Sequence, residues 1–267
     1  MTDQGRVDRI SLRVVPGVEA LRATDGPLFA VIGVFDGLHL GHAYLLDRLV
    51  RNARERDARP AVITFDSHPD EVIVGKAPPL LLDPGERLER LAGMGVEVAV
   101  VQHFDDALRR TEFDAFIGMI TKRVSLTGLL MTPDTAFGYE RRGTPDAVRE
   151  LGERSDPPFE LVVVPPFTID GRPISSSEIR RRVIAGDLAG AGQLLGRPYS
   201  IVGRVGDGRN LEFDLPVALP PPGDYSVAVV VSEDGARSTD ATLDVTAGGL
   251  SMAPAPSVGS QVSVVFG

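Results

Sequence analysis

Hydrophobic positions along the 267-residue chain follow two regimes. Through residue 198, short apolar runs alternate with stretches whose apolar positions recur at helical spacing. Leu28–Val34 is the first clear run and reads as a strand buried on both faces. Ala43–Arg56 follows, with Leu45, Leu46, Leu49 and Val50 on one helical face. The alternation then predicts strand Ala61–Phe65, helix Pro84–Met94, strand Val96–Val101, helix Glu112–Val124, strand Leu126–Met131, helix Thr144–Arg154 and strand Phe159–Val164. Phe113, Phe116, Ile117 and Ile120 form the apolar face of the Glu112 helix and read as core. Val7–Val15 is expected to be a first strand or edge segment. This order predicts an α/β fold with a parallel sheet and helices on both of its faces.

After Gly196-Arg-Pro-Tyr199 the helical spacing stops. Ser200–Val205, Asn210–Ala218, Tyr225–Ser232, Thr239–Val245 and Gln261–Phe266 read as short strands divided by Gly, Pro and Asp turns. The chain is therefore expected to hold an α/β domain over 1–198 and a small all-β barrel or sandwich over 199–267.

Composition narrows the chemistry. Zero Cys excludes disulfides and thiolate catalysis and fits a reducing compartment. No apolar signal core opens the chain and no run of eighteen apolar residues occurs, so a soluble, cytoplasmic protein without membrane partners is expected. The net charge of −9 argues against nucleic acid as a partner. Residues 199–267 carry three arginines against eight acidic side chains, which makes them the poorer place for a polyphosphate.

One stretch concentrates candidate chemistry. Gly33-Val-Phe-Asp-Gly-Leu-His-Leu-Gly-His42 joins the first buried strand to a helix. Gly33, Gly37 and Gly41 allow tight turning and close approach of a ligand. A helix N-terminus attracts anions, and His39 and His42 would add donors there. That suits transfer at a phosphate. The same histidines could be caps. A metal site is not expected, because only His68 and His103 remain as further imidazoles. A second polar cluster, Asp66-Ser-His68-Pro-Asp-Glu71, closes a strand where open α/β sheets bind ligands. It reads equally as a solvated turn. A second helix start, Arg172-Pro-Ile-Ser-Ser-Ser-Glu-Ile-Arg180, offers Ser175, Ser176 and Ser177 as caps or anion donors. Arg180, Arg181 and Arg182 oppose the dipole of that helix, which a bound anion would explain.

Taken in order, these pieces resemble the bacterial bifunctional riboflavin kinase/FMN adenylyltransferase family, also called FAD synthetase. The matching segments are Gly33–His42 with its HxGH motif, Phe65-Asp-Ser-His-Pro69, Asp134-Thr-Ala-Phe-Gly138 and Ile174–Arg180. The resemblance implies a Rossmann-like nucleotidyltransferase domain followed by a kinase barrel. It implies small-molecule substrates, ATP and FMN, with Mg2+ sharing the phosphate charge, and leaves the oligomeric state open. It places His39, His42 and Arg180 in catalysis. Gly33, Phe35, Asp36, Gly37, Gly41, Arg172, Ser175, Ser176 and Ser177 would serve ATP. Phe65, Asp66, His68, Pro69, Asp134 and Phe137 would serve FMN.

This chain departs from the family at Ser67, where Pro is usual, and at Thr132 and Thr135, where Gly and Phe are usual. An aromatic lost beside a flavin forfeits about 1 kcal/mol of stacking. In the β region the family's Pro-Thr-Ala-Asn segment, whose Thr and Asn serve Mg2+ and ATP, has only Leu211–Leu219 as counterpart. The kinase activity is therefore expected to be absent. The alternatives are a nucleotidyltransferase for another phosphorylated acceptor and a non-catalytic nucleotide- or flavin-binding protein.

Overall fold

The structure is a computed structural model and describes residues 11–231 and 238–267. Packing divides the chain into two compact units. One holds the described residues up to Val34 together with Tyr44–Ala77 and Leu88–Pro166. The other holds Phe35–Ala43, Pro78–Arg87 and the described part of Phe167–Gly267. The division does not follow residue 198: the HxGH turn groups with the C-terminal part of the chain.

The first unit is built on six parallel strands, β1 (Arg13–Pro16), β2 (Leu28–Ile32), β3 (Arg59–Phe65), β4 (Val98–Gln102), β5 (Leu126–Met131) and β6 (Glu160–Val163). Their order is β1-β4-β3-β2-β5-β6. In register, Val31 faces Val62, Ile63 faces Val100 and Leu130 faces Val162. Central strands with apolar side chains on both faces leave no polar side, as a covered parallel sheet requires. The helices are α1 (Leu40–Arg54), α2 (Asp70–Val74), α3 (Pro84–Gly93), α4 (Asp106–Arg109), α5 (Phe113–Thr121) and α6 (Pro145–Arg154). Phe116, Ile117 and Ile120 of α5 are buried in the sheet unit's core with Val148 of α6 and Phe159.

The second unit contains a two-stranded hairpin, β7 (Thr168–Ile169) and β8 (Arg172–Pro173), two helices, α7 (Ser176–Ile184) and α8 (Leu188–Leu195), and a barrel. The barrel strands are β9 (Ser200–Val205), β10 (Asn210–Glu212), β11 (Gly223–Val231), β12 (Ser238–Thr246), β13 (Gly249–Ala253) and β14 (Gln261–Phe266). They close in the order β10-β13-β12-β11-β14-β9, which leaves no exposed edge. Ile179 and Val183 of α7, Ala191 and Leu195 of α8, and Leu81 share one apolar core with the barrel interior. Tyr199 enters that core fully buried, and its hydroxyl donates to the Ala218 carbonyl at 2.6 Å. Two backbone bonds of 2.8 Å tie Leu80 to Pro216 and Ala218.

Most predicted elements lie within a few residues of the observed ones. The expected strand Asn210–Ala218 is cut to β10, because Pro216 has no N–H to continue a ladder. Its remainder is not idle: Phe213, Val217 and Leu219 pack against the core. Helices α2, α4 and α8, the β7–β8 hairpin and β13 were not predicted. In α8, Gly190 and Gly192 weaken the helical signal, and Asp187 compensates by capping the Gly190 N–H at 2.9 Å. Val7–Ile10, Ser232, Glu233 and Arg237 lie outside the described residues.

Tyr199→Phe should fold but lose about 1–3 kcal/mol, since the Ala218 carbonyl is left buried without its donor. Denaturant melts of the full chain measure this; an unchanged midpoint would mean that another donor reaches the carbonyl.

Candidate active site

The chain leaves β2 at Ile32 and reaches α1 at Leu40 through a turn of unusual backbone. Phe35, Gly37 and Leu38 all have positive φ, at 55°, 82° and 39°. Only glycine adopts such angles cheaply, so Phe35 and Leu38 are held there by their surroundings. His39 occupies the N-cap position of α1. Its Nδ1 accepts the His42 N–H at 3.2 Å, and its carbonyl accepts the Ala43 N–H at 2.9 Å. The imidazole is thus a helix cap, one of the two roles open from sequence. Because Nδ1 accepts, the neutral ring carries its proton on Nε2.

The two histidine rings stack, with centroids 3.7 Å apart and planes 15° off parallel. Gly41 permits this, because a Cβ there would stand 3.1 Å from the His39 ring. Phe35 leans on His42 at 5.2 Å. His42 retains some exposed surface, but its Nδ1 is buried and has no hydrogen-bond partner among the described residues. Burial lowers the pKa of His39 from 6.5 to about 4, assisted by the nearby charge of Arg197. Burial, then His39, holds that of His42 well below 6.5. At neutral pH the turn presents two uncharged imidazoles at a helix N-terminus.

A buried ion pair holds the turn in place. The Asp36 carboxylate is 3% exposed and the Arg180 side chain belongs to a residue only 9% exposed. Arg180 Nη2 donates to Asp36 Oδ2 at 2.8 Å, and its Nε donates to the Pro79 carbonyl at 2.7 Å. The Leu81 N–H donates to both Asp36 oxygens, at 3.0 and 3.2 Å. Ser176 Oγ donates to the Asp36 carbonyl at 2.8 Å. Arg197 donates to the Gly37 carbonyl at 2.9 Å and, more weakly, to that of Leu38 at 3.4 Å.

This corrects the reason given for the arginine run. Arg180 answers Asp36 and Pro79. Arg182 pairs with Glu178 at 2.9 Å and with Asp187 at 3.2 Å, and Arg181 also pairs with Glu178. Side-chain partners explain all three without a bound anion. Asp36 likewise spends its carboxylate inside the fold. Ser175 caps α7 by accepting the Glu178 N–H at 3.2 Å, and Ser176 is committed to Asp36, while Ser177 and Arg172 stay exposed. Arg197, Pro79 and Leu81 were missed. Their signals are a turn after a helix and a proline-rich connection, neither of which marks a partner.

The sheet unit carries a separate cavity of about 640 Å³. Among its lining residues are Gly33, Phe65, His68, Pro69 and Phe137, all named from sequence, Thr135, named there as a departure from the family, and Phe104 and Tyr139, which were not named. Phe65 and Phe104 meet edge to face at 5.3 Å. Gly33 therefore lines this cavity. Asp66 and Asp134 lie outside its lining. Asp66 bonds His103 Nδ1 at 2.6 Å, and the pair favours the charged forms: the His103 pKa is raised and the Asp66 pKa lowered. Asp134 is exposed and its carbonyl accepts from Arg141 at 3.3 Å. Thr132 and Thr135 share a hydroxyl hydrogen bond of 2.6 Å. No group of three His, Asp or Glu able to hold a metal occurs among the described residues.

Two outcomes test this geometry. Asp36→Ala leaves the Arg180 charge buried and alone and should cost about 3–5 kcal/mol in urea melts; a loss below that would mean the guanidinium reaches water. The second concerns pH. As pH falls, the unfolded chain protonates His39 near 6.5 while the folded chain resists to about 4. The stability due to the neutral ring is thus whole above 6.5 and lost on the way to 4, at roughly 1.4 kcal/mol per pH unit. His39→Gln should flatten the slope of stability between pH 7 and 5 relative to the native chain; equal slopes would refute the neutral stack.

The family model for FAD synthetase matches residues 22–178. Bifunctional riboflavin kinase/FMN adenylyltransferases are 30% identical in Listeria monocytogenes over 73% of this chain, and 34% identical in Haemophilus influenzae over 67%. The matches span only 62% and 58% of those proteins' own lengths. The Escherichia coli protein of that name is 31% identical over 82% of this chain and 74% of its own. A crystal structure of a macrolide-efflux protein from Streptococcus pneumoniae shares the fold, at TM-score 0.79 and 24% identity, over 96% of this chain and 98% of that one. Among the described residues no helix is long and apolar enough to cross a membrane. The chain, with its HxGH turn, belongs to the FAD synthetase family.

Proposed function

We propose that this chain is an FMN adenylyltransferase that makes FAD and pyrophosphate from FMN and ATP, without riboflavin kinase activity. The observation that carries the reading is the stacked, uncharged imidazole pair at the N-terminus of α1. In the reaction an FMN phosphate oxygen attacks the α-phosphorus of ATP. The bond from that phosphorus to the bridging oxygen breaks, and pyrophosphate leaves. No protein nucleophile is required. Catalysis then rests on holding the phosphates and meeting the charge that develops on them.

His39, through Nε2–H, and His42 donate to phosphate oxygens beside the free amides of α1. Gly37 and Gly41 let the triphosphate approach the backbone, and Phe35 backs His42. The N-terminus of α7, with the exposed Ser177 hydroxyl and Arg172, receives the outer phosphates. Asp36, Ser175, Ser176 and Arg180 act through the turn and the helix that they hold. The flavin occupies the cavity walled by Phe65, His68, Pro69 and Phe137, with Asp66 and Asp134 ordering its rim. On this reading Mg2+ is carried by the nucleotide as MgATP and shares the phosphate charge. Small molecules are the only partners this reading needs, and a cysteine-free chain suits the cytoplasm.

Kinase chemistry lacks support in the barrel. The segment Leu211–Leu219 has neither the Thr nor the Asn of the family's kinase motif, and its Phe213, Val217 and Leu219 pack, partly buried, against the core. A second reading, transfer to a different phosphorylated acceptor, draws on the Thr132–Thr135 hydrogen bond where the family usually has Gly and Phe.

Purified protein with ATP, Mg2+ and FMN should yield FAD and pyrophosphate, and with riboflavin should yield no FMN. Pyrophosphate release with another phosphate ester but not FMN would favour the second reading; release with none would refute both. His42→Ala should lower turnover by about 10²–10³ while leaving the melting midpoint nearly unchanged. Turnover within a few-fold of native would reduce His42 to a packing residue.

A further inference from the structure

Arg197 sits between α8 and the first barrel strand, and its guanidinium turns back onto the HxGH turn. Nη2 donates to the Gly37 carbonyl at 2.9 Å and Nη1 to the Leu38 carbonyl at 3.4 Å. These are two successive carbonyls of residues with φ of 82° and 39°. A planar fork can span both, whereas an ammonium is a single point of donation. The Arg197 backbone is itself fixed, because its N–H donates to the Gly192 carbonyl at 3.2 Å. Two residues later, Tyr199 is locked into the barrel core. The anchor of the turn is therefore tied to the barrel.

We propose that Arg197 is a positioning residue for phosphate transfer: its two-pronged grip on the Gly37 and Leu38 carbonyls holds the backbone that carries His39. His42 stacks on His39 from α1, and Asp36, on the same turn, spends its carboxylate on Arg180 and Leu81. Burial is the larger influence on His39, and among the described residues the charge of Arg197 adds to it. A protonated His39 would lose Nδ1 as an acceptor and with it the cap on the His42 N–H. The charge of Arg197 and its two donor bonds thus protect the same geometry.

The transfer step itself rests on the adenylyltransferase reading, so the test has one arm independent of it. In the full chain, histidine ring protons are followed by NMR through a pH titration. The chain has four histidines, and His→Gln variants assign the signals. Native His39 should titrate near 4, Arg197→Gln should move it toward 6.5, and Arg197→Lys should leave it low. In the second arm, FAD formation by Arg197→Gln should fall about 10²-fold in kcat with little change in KM for FMN, as a slightly displaced turn would cause. Arg197→Lys should recover the His39 titration but little of kcat. A His39 titration unchanged in Arg197→Gln, or a kcat within twofold of native in both variants, overturns the proposal. Should the native protein make no FAD, the functional reading fails and the titration alone decides Arg197. Should Arg197→Gln not fold, Arg197→Lys with native kcat refutes the need for the fork.

Discussion

The Asp36 carboxylate is the point on which the candidate site depends. It lies in a turn with three positive-φ residues, and it meets the Arg180 guanidinium away from water. Ion pairs of this kind seldom stabilise a fold more than apolar side chains would, because desolvation opposes the attraction. Their strength is in what they forbid. With Asp36 bonded to Arg180 and to the Leu81 N–H, the turn, the Pro78–Arg87 segment and α7 can take only one mutual arrangement. Ser176 adds a bond to the carbonyl of the same residue. The strain of Phe35 and Leu38 persists because several independent contacts determine their position.

The barrel gives this arrangement its mass. Ile179 and Val183 of α7, Leu195 of α8 and Leu81 are buried in one core with the barrel's inward side chains. A turn and one helix start alone would have little apolar surface to bury. Here the barrel supplies it. Along Leu211–Leu219, Phe213, Val217 and Leu219 pack against that core, and Leu80 pairs with Val217.

Much of this was legible in the sequence, for identifiable reasons. Buried parallel strands such as Leu126–Met131 are continuous apolar runs, and their boundaries follow directly. The barrel strands Ser200–Val205 and Gln261–Phe266 have the bounds expected of them. His39, His42 and the serines were found because their spacing against glycines and a helix start is local. What stayed hidden was every long-range partner. Arg180 was read against the dipole of its own helix, whereas its partner Asp36 is 144 residues away. Arg197, 160 residues from Gly37, had no local signal at all. Helix-start chemistry is written in a few adjacent residues; a buried ion pair is written only in the fold.

The neutrality of the two imidazoles completes the argument. A charged histidine in this position would attract phosphate more strongly, yet burial and Arg197 both work against the charge. Neutral rings leave the resting turn intact, since His39 Nδ1 must accept the His42 N–H. On the proposed reading, the phosphates bring the negative charge, and an anion beside an imidazole raises its pKa. The Nε2–H of the neutral His39 ring then meets the charge that develops during transfer, while Nδ1 keeps the cap on the His42 N–H. That is stabilisation matched to the transition state and not to the empty site, which is the condition for raising turnover and not merely affinity. The same coupling links substrate binding to proton uptake: an anion that favours the protonated ring is itself held more tightly as pH falls toward the raised pKa. In the empty turn, burial and the charge of Arg197 hold His39 uncharged.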